Sequence, residues 1–199
     1  MVKSYKRVRP CGERSMLSDE ELVKRFISGE EKAFEELFFR YYPVLRRFVA
    51  KVMPRQAEDI VQEVFLKVYR DIKRFSPDKG SFKTWIFAIA VNLTVDEYRR
   101  MRRRLRIFRP LKDEAFELPD KSHAPDEEVI EKERHSEIER ALKMLPLEQR
   151  QVLMLKHLEG FKFKEIARIL GIPEGTVKSR MARGLKRLRE VLDERAFEG

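Results

Sequence analysis

The chain has 199 residues, 39% charged and 42% hydrophobic, enough apolar surface for modest helical cores but not for one large one. Its 44 Lys and Arg outweigh 34 Asp and Glu, a formal net charge of +10, which points to a polyanionic partner, nucleic acid or an acidic membrane face. A single cysteine, Cys11, excludes a disulfide framework or cysteine-based zinc site within one chain, and the scattered His123, His135 and His157 form no metal-binding pair. The longest uninterrupted apolar run, Trp85 to Val91, is seven residues, so no membrane insertion is expected. The basic first fifteen residues lack the apolar core of a secretory signal, and the cytoplasm is the default compartment. Asn occurs once, at Asn92, and Gln four times, the composition of heat-adapted proteins. A melting midpoint of about 50 °C would count against that reading.

Residues 1–15 form a basic tail. Strand signals are nearly absent and helical periodicity is everywhere, which predicts an all-α fold of two small helical domains. The first spans 16–105. Ser18 followed by Glu21 is a capping box that opens a helix through Phe26 and Ile27, and Gly29 stops it. A second helix is expected over 31–53, kinked or broken at Pro43 and ended by Pro54. A third is expected over 57–75, turn chemistry over 76–81, and a fourth helix over 82–105. Residues 106–133 read as an extended acidic linker: from Asp113 to Glu133 there are nine Asp or Glu and two Lys. Residues 134–199 form the second domain.

In the third helix Val61, Val64, Phe65, Val68 and Ile72 recur at core spacing. Asp59, Gln62, Glu63, Leu66 and Arg70 repeat that spacing two residues out of step. This second stripe is either a solvated face with one exposed leucine or a docking face for a protein partner. The fourth helix begins with aromatics and runs into seven arginines within the eleven residues from Arg99 to Arg109. Aromatics stack on unpaired bases and cations track a phosphate backbone. Phe82, Trp85, Phe87 and Ile89 serve equally as core, the preferred reading for most of them.

The sharpest motif lies near the C-terminus. Ala167 is small where two helices must cross, Gly171 sits at the turn, and Val177 points back from the second helix to the first. This is the spacing of a DNA-binding helix-turn-helix. Val177, Met181, Leu185, Leu188 and Leu192 are the expected buried stripe of its second helix. Thr176, Ser179, Arg180 and Arg183 fall away from that stripe, and six basic residues with no acid run from Lys178 to Arg189. Arginine bridges guanine in the major groove, while lysine mainly neutralises phosphate.

Together these segments resemble a bacterial RNA polymerase sigma factor of the sigma-70 family, extracytoplasmic-function (ECF) class. Asp59-Ile-Val-Gln-Glu-Val-Phe is similar to the family's region 2 helix that docks on the polymerase β′ clamp. Phe82-Lys-Thr-Trp-Ile-Phe-Ala-Ile-Ala-Val-Asn is similar to the segment that melts and reads the −10 element. Leu145-Pro-Leu-Glu-Gln-Arg, Glu159-Gly-Phe and the helix-turn-helix are similar to region 4, which reads −35 DNA. The resemblance implies polymerase contacts at Asp59, Gln62, Glu63 and Leu66. It implies −10 contacts at Asn92, Arg99 and Arg100, with Ser76, Lys79 and Ser81 in a loop that receives a flipped-out base. At the −35 element it implies Thr176, Lys178, Ser179, Arg180 and Arg183. The implied partners are core RNA polymerase (β and β′ subunits), promoter DNA and an anti-sigma factor. In the family, the acidic linker threads toward the polymerase active-site and RNA-exit channels. No cofactor or metal is implied, and no catalysis.

Two departures stand out. Lys162 occupies a position where the family often has Ser, leaving no hydroxyl cap, and Pro173 likewise stands where Ser is common. A stand-alone helix-turn-helix regulator is disfavoured, because the first domain has its own arginine run and polar stripe. A nuclease holding Mg²⁺ at Asp59 and Glu63 lacks further converging carboxylates.

Overall fold

The computed structural model describes residues 17–108, 138 and 140–196, and helices account for most of the described residues, with no strand among them. The basic tail lies outside the described residues. α1 (Asp19–Ile27) opens on Ser18, whose Oγ accepts the Glu21 N–H at 3.2 Å. Asp19, Glu20 and Glu21 fill the first turn, where the helix dipole favours acid. Glu21 turns its carboxylate to Arg25 at 3.3 Å.

α2 (Glu31–Ala50) runs through Pro43 without the expected break. The proline removes one bond to the Phe39 carbonyl, and both residues are exposed. The helix ends at Ala50, and the N–H groups of Val52 and Met53 fold back onto the Val49 carbonyl at 2.9 and 2.8 Å. The Tyr41 hydroxyl donates to Asp19, and Arg40 bonds the same carboxylate at 2.5 Å, so the start of α1 is pinned to α2. Burial, with Asp19 beside it, pushes the Tyr41 hydroxyl pKa up.

α3 (Ala57–Asp71) is shorter than expected and closes in a 3-10 turn, Ile72–Arg74. Its core stripe is buried as the periodicity predicts: Val61, Val64, Phe65, Val68 and Ile72 are each 5% exposed or less. α4 (Phe82–Phe108) is three residues longer than expected. Residues 106–108 therefore belong to its last turn rather than to the acidic linker, whose remaining expected residues, 109–133, lie outside those described. Phe48 of α2 packs edge-on to Phe87 of α4, centroids 5.4 Å apart, both fully buried.

The second domain holds α5 (Leu147–His157), α6 (Phe163–Leu170) and α7 (Glu174–Ala196). Arg150 of α5 donates to the carbonyls of Lys143 and Leu145 at 2.6 and 3.1 Å, closing the helical stretch over 140–144. Without a hydroxyl at Lys162, the Glu165 N–H bonds the Lys162 carbonyl at 2.9 Å, and the Glu165 carboxylate in turn accepts the Lys162 N–H at 2.7 Å. Pro173 supplies its carbonyl to the N–H groups of Thr176 and Val177 at 2.9 and 3.1 Å.

Gly171 has φ +62, the left-handed region that costs other residues about 1–2 kcal/mol. Its N–H bonds the Arg168 carbonyl and that of Ile172 the Ala167 carbonyl, the paired bonds of a Schellman turn. The expected stripe on α7 needs one correction. Val177 and Met181 are buried and Leu188 and Leu192 half-buried, but Leu185 is 45% exposed. The inward positions are Gly184 and Val191. The step 177, 181, 184, 188, 191 keeps to one face of a 3.6-residue helix, and Leu185 overshoots it. A Cβ at Gly184 would stand 3.1 Å from Leu153 Cδ1 and 3.3 Å from Gln149 Cβ, so α5 and α7 cross where a side chain would push its neighbours aside by a few tenths of an ångström.

The two domains pack together. α4 lies against α6, and apolar residues of both halves belong to one connected cluster rather than two separate cores. Phe87 and Phe161 join them, ring centroids 5.0 Å apart.

Candidate nucleic-acid interface

Three surfaces carry the residues singled out from the sequence. On α3, Asp59, Gln62, Glu63, Leu66 and Arg70 are all exposed, as the second stripe requires, and Leu66 is 65% exposed. Beside them stands Tyr69, 53% exposed, which the sequence reading passed over. Its ring is backed by Phe26 and Phe34 at 5.3 and 5.2 Å. Leu66 and Tyr69 thus offer apolar area, framed by acid on one side and Arg70 on the other. Glu58 ties this helix to α2 through Tyr42 at 2.6 Å and Arg46 at 3.4 Å.

On α4 the outer stripe runs from Trp85 through Ala88 and Asn92 to Arg99, with Trp85 and Ala88 half-buried and Asn92 and Arg99 exposed. Arg100 is exposed and pairs with Glu97 at 3.1 Å. The loop before α4 contains a 3-10 turn, Pro77–Lys79. Lys79 is exposed and Ser76 half-buried. Ser81 Oγ accepts the Thr84 N–H at 3.2 Å and lies 3.0 Å from the Thr84 hydroxyl, so this side chain caps α4. Phe75, Phe82 and Trp85 form a triangle of rings 5.6 to 5.7 Å apart that fixes both ends of the loop. Ten residues of helix, about 15 Å, separate Phe82 from Asn92. The loop and Asn92 therefore lie along one edge rather than around one point. Phe82, Phe87 and Ile89 are core, as preferred.

On α7, Lys178, Ser179 and Arg183 are exposed and Thr176 and Arg180 half-buried. Lys178 pairs with Glu174 at 2.8 Å, while Arg183 Nε donates to the Ser179 carbonyl at 3.3 Å. Arg180 reaches across to Glu148 of α5 at 2.7 Å, with only 22% of its side chain exposed. It is the one proposed −35 residue whose guanidinium is held against another helix.

The sequence reading also missed a polar group between the domains. Lys83 Nζ donates to the Glu159 carbonyl at 2.7 Å and sits 4.6 Å from the Phe161 ring centroid. The buried Glu159 carboxylate lies 3.8 Å from Arg47. Burial raises its pKa, and Arg47 and Lys83 offset part of that. Among the described residues no cluster of potential ligands for a metal ion occurs, and no helix is long and apolar enough to cross a membrane.

Comparison with known proteins places these surfaces in one family. Residues 37–104 match the model described as Sigma-70 region 2, and residues 135–188 match Sigma-70, region 4. The chain is 33% identical over 184 residues to the ECF RNA polymerase sigma factor SigM of Mycobacterium tuberculosis, covering 91% of this chain and 88% of that one. This chain belongs to the ECF sigma factors of the sigma-70 family. It is 34% identical over 189 residues to the Escherichia coli ECF RNA polymerase sigma-E factor, covering 89% and 93% of the two chains. The sigma factor RpoE of Bartonella quintana, solved with the anti-sigma factor NepR, superposes with a TM-score of 0.64 at 26% identity, covering 81% of this chain and 98% of that one. CnrH, solved with the cytosolic domain of CnrY, shares the fold at 24% identity and a TM-score of 0.65, covering 88% and 97%. The two matched regions of this sigma factor correspond to the two helical halves described above.

Proposed function

We propose that this sigma factor joins core RNA polymerase through the α3 stripe and directs it to promoters whose −10 and −35 elements it reads with α4 and α7. The observation that carries this reading is the exposed set Asp59, Gln62, Glu63 and Leu66, present in the same chain as a basic helix-turn-helix. The acids meet a basic or amide-rich surface of the β′ subunit, and Leu66 fills an apolar depression there. Asn92 contacts a −10 base and Arg99 and Arg100 the neighbouring phosphates. Ser76 and Lys79 line the loop for an extruded base, while Ser81 holds the loop against α4. Thr176, Lys178, Ser179 and Arg183 face the −35 groove, and Arg180 joins them by exchanging Glu148 for DNA. The β subunit receives region 4, the acidic segment enters the polymerase channel, and an anti-sigma factor, as in the complex of the Bartonella relative, holds the protein inactive. The work is done in the cytoplasm, by binding rather than catalysis: capture of an unstacked base offsets a few kcal/mol of unstacking and nucleates melting.

Transcription from a promoter library with purified core polymerase tests this. Starts that require the chain and share −10 and −35 sequences are expected. Identical starts with and without it would refute the reading.

A further inference from the structure

Glu148 has no task of its own in the proposed function, yet it holds one of the cations that function sends to DNA. Its carboxylate accepts from Arg180 Nη2 at 2.7 Å, across the crossing of α5 and α7. Arg180 stands one turn before Gly184, where the two helices pass closely, and is the neighbour of Thr176 and Arg183 along the helix face. From that place a long side chain reaches either way, to α5 or to the open side of α7.

The two partners differ in what separation costs them. Glu148 is 66% exposed and sits in the first turn of α5, where water and the helix dipole both steady an acid left on its own. Arg180 has only 22% of its side chain exposed, so its guanidinium needs an acceptor wherever it points. The other pairs on this surface are local: Glu174 rides on α7 with Lys178, and Arg183 donates to its own helix.

In the major groove a guanine offers Arg180 two acceptors, O6 and N7, whereas adenine offers N7 beside a donor, thymine O4 alone, and cytosine a donor. Without Glu148, an arginine brought to a cytosine would be an unpaired charge in a closing interface, and that promoter would be rejected. With Glu148 in reach, Arg180 stays on α5 and the rest of the helix binds as before. Such an internal acceptor weakens the best site, where the pair must be given up, and spares the poor ones. It narrows the gap between promoters.

We infer that Glu148 is a specificity-determining residue of the −35 surface: it gives Arg180 a resting place, makes the reading of one base pair optional, and so broadens the set of promoters the protein accepts. This rests on the assignment of α7 to −35 DNA made above.

The test uses the full chain with core polymerase and promoter duplexes in which each −35 base pair is varied in turn, at one fixed salt concentration. Arg180→Ala first locates the base pair, as the position whose preference it flattens. There Glu148→Gln is expected to bind the guanine promoter about threefold more tightly, the scale of one exposed ion pair. It is expected to gain little or nothing on the other bases, so the preference for guanine grows. Glu148→Asp keeps a carboxylate and should return the preference part of the way to the wild-type value. In an Arg180→Ala chain, Glu148→Gln should change no preference. An equal gain on all promoters would overturn the inference, since it would mark Glu148 as a charge that only repels phosphate. Unchanged affinities, or a smaller preference for guanine, would overturn it too. If Arg180→Ala flattens nothing while other −35 positions still direct binding, this inference falls and the functional reading stands. If no −35 position affects binding, the −35 assignment fails with it.

Discussion

α4 and α7 each expose a polar stripe, but they stand on different foundations. α4 is committed on two sides, to the aromatic core through Phe82 and Phe87 and to the second domain through Lys83, and its outer stripe is left with few partners. α7 is buried along one face only, and three of its six cations between Lys178 and Arg189 are already in ion pairs: Lys178 with Glu174, Arg180 with Glu148, Lys186 with Glu190. The first surface is rigid and open. The second is held in part by ion pairs that any bound phosphate would have to displace, each exposed pair being worth about 0–1 kcal/mol. A footing deep in a core suits a helix that must resist the force of strand separation, while a helix that samples many sequences gains from contacts that exchange at low cost.

The largest effect attacks the footing of α4. Phe48→Ala removes a fully buried ring that packs on Phe87 and is expected to cost about 3–5 kcal/mol, read by denaturant unfolding. A loss below 1 kcal/mol would mean that the core repacks and α4 is less fixed than described. Gly184→Leu drives a side chain into Leu153 where α5 and α7 cross, and is expected to cost about 1–3 kcal/mol. The loss should appear as weaker −35 DNA binding with −10 binding retained. Arg183→Ala is expected to lose about 1–3 kcal/mol at one −35 base pair. An equal loss on every promoter variant would make it a phosphate contact instead. Glu148→Gln releases Arg180 and is expected to strengthen −35 binding by up to about 1 kcal/mol, measured at fixed salt. No change would show that the pair does not hold Arg180 back from DNA.

The smallest effect concerns the seam between the two helices. Glu159 faces Arg47 from α2 and Lys83 from α4, and burial holds its pKa above the ordinary carboxylate value of about 4.3. A raised acid pKa means that the packed state takes up a proton more readily than the separated one. Its contribution is fully present below the ordinary value and is lost as pH rises through the raised one. Domain packing should therefore tighten as the pH falls toward that value, and Glu159→Gln should flatten the dependence. A pH profile unchanged in the variant would remove Glu159 from the account.

Much of this was legible along the chain, where local patterning decides the outcome. The two stripes of α3 are both where their spacing puts them, Val61 to Ile72 inside and Asp59 to Leu66 outside. The Gly171 turn follows from a backbone angle that only glycine takes cheaply. Errors arose where a neighbour overrode the pattern. Pro43 did not break α2: the one helical hydrogen bond it removes, to the Phe39 carbonyl, lies on an exposed stretch of the helix. Leu185 yielded its place in the stripe to Gly184, where α5 crosses α7 closely. Arg180 looked like its basic neighbours until Glu148, thirty-two positions earlier, came to meet it. The contact of Lys83 with Phe161 and Glu159 had no periodic signal at all, because it joins two faces that each read as ordinary helix surface.

α4 is a single uninterrupted helix of 27 residues, on the order of 40 Å from end to end. One strut therefore carries the aromatic-framed loop at its start, Asn92 along its length and the departure point of the acidic segment at its far end. Any placement of the loop at Pro77–Lys79 also sets the direction in which the helix axis points at Phe108. With the loop and Asn92 in the promoter roles proposed above, the positioning of the DNA and the aim of the helix's C-terminal end become one mechanical event.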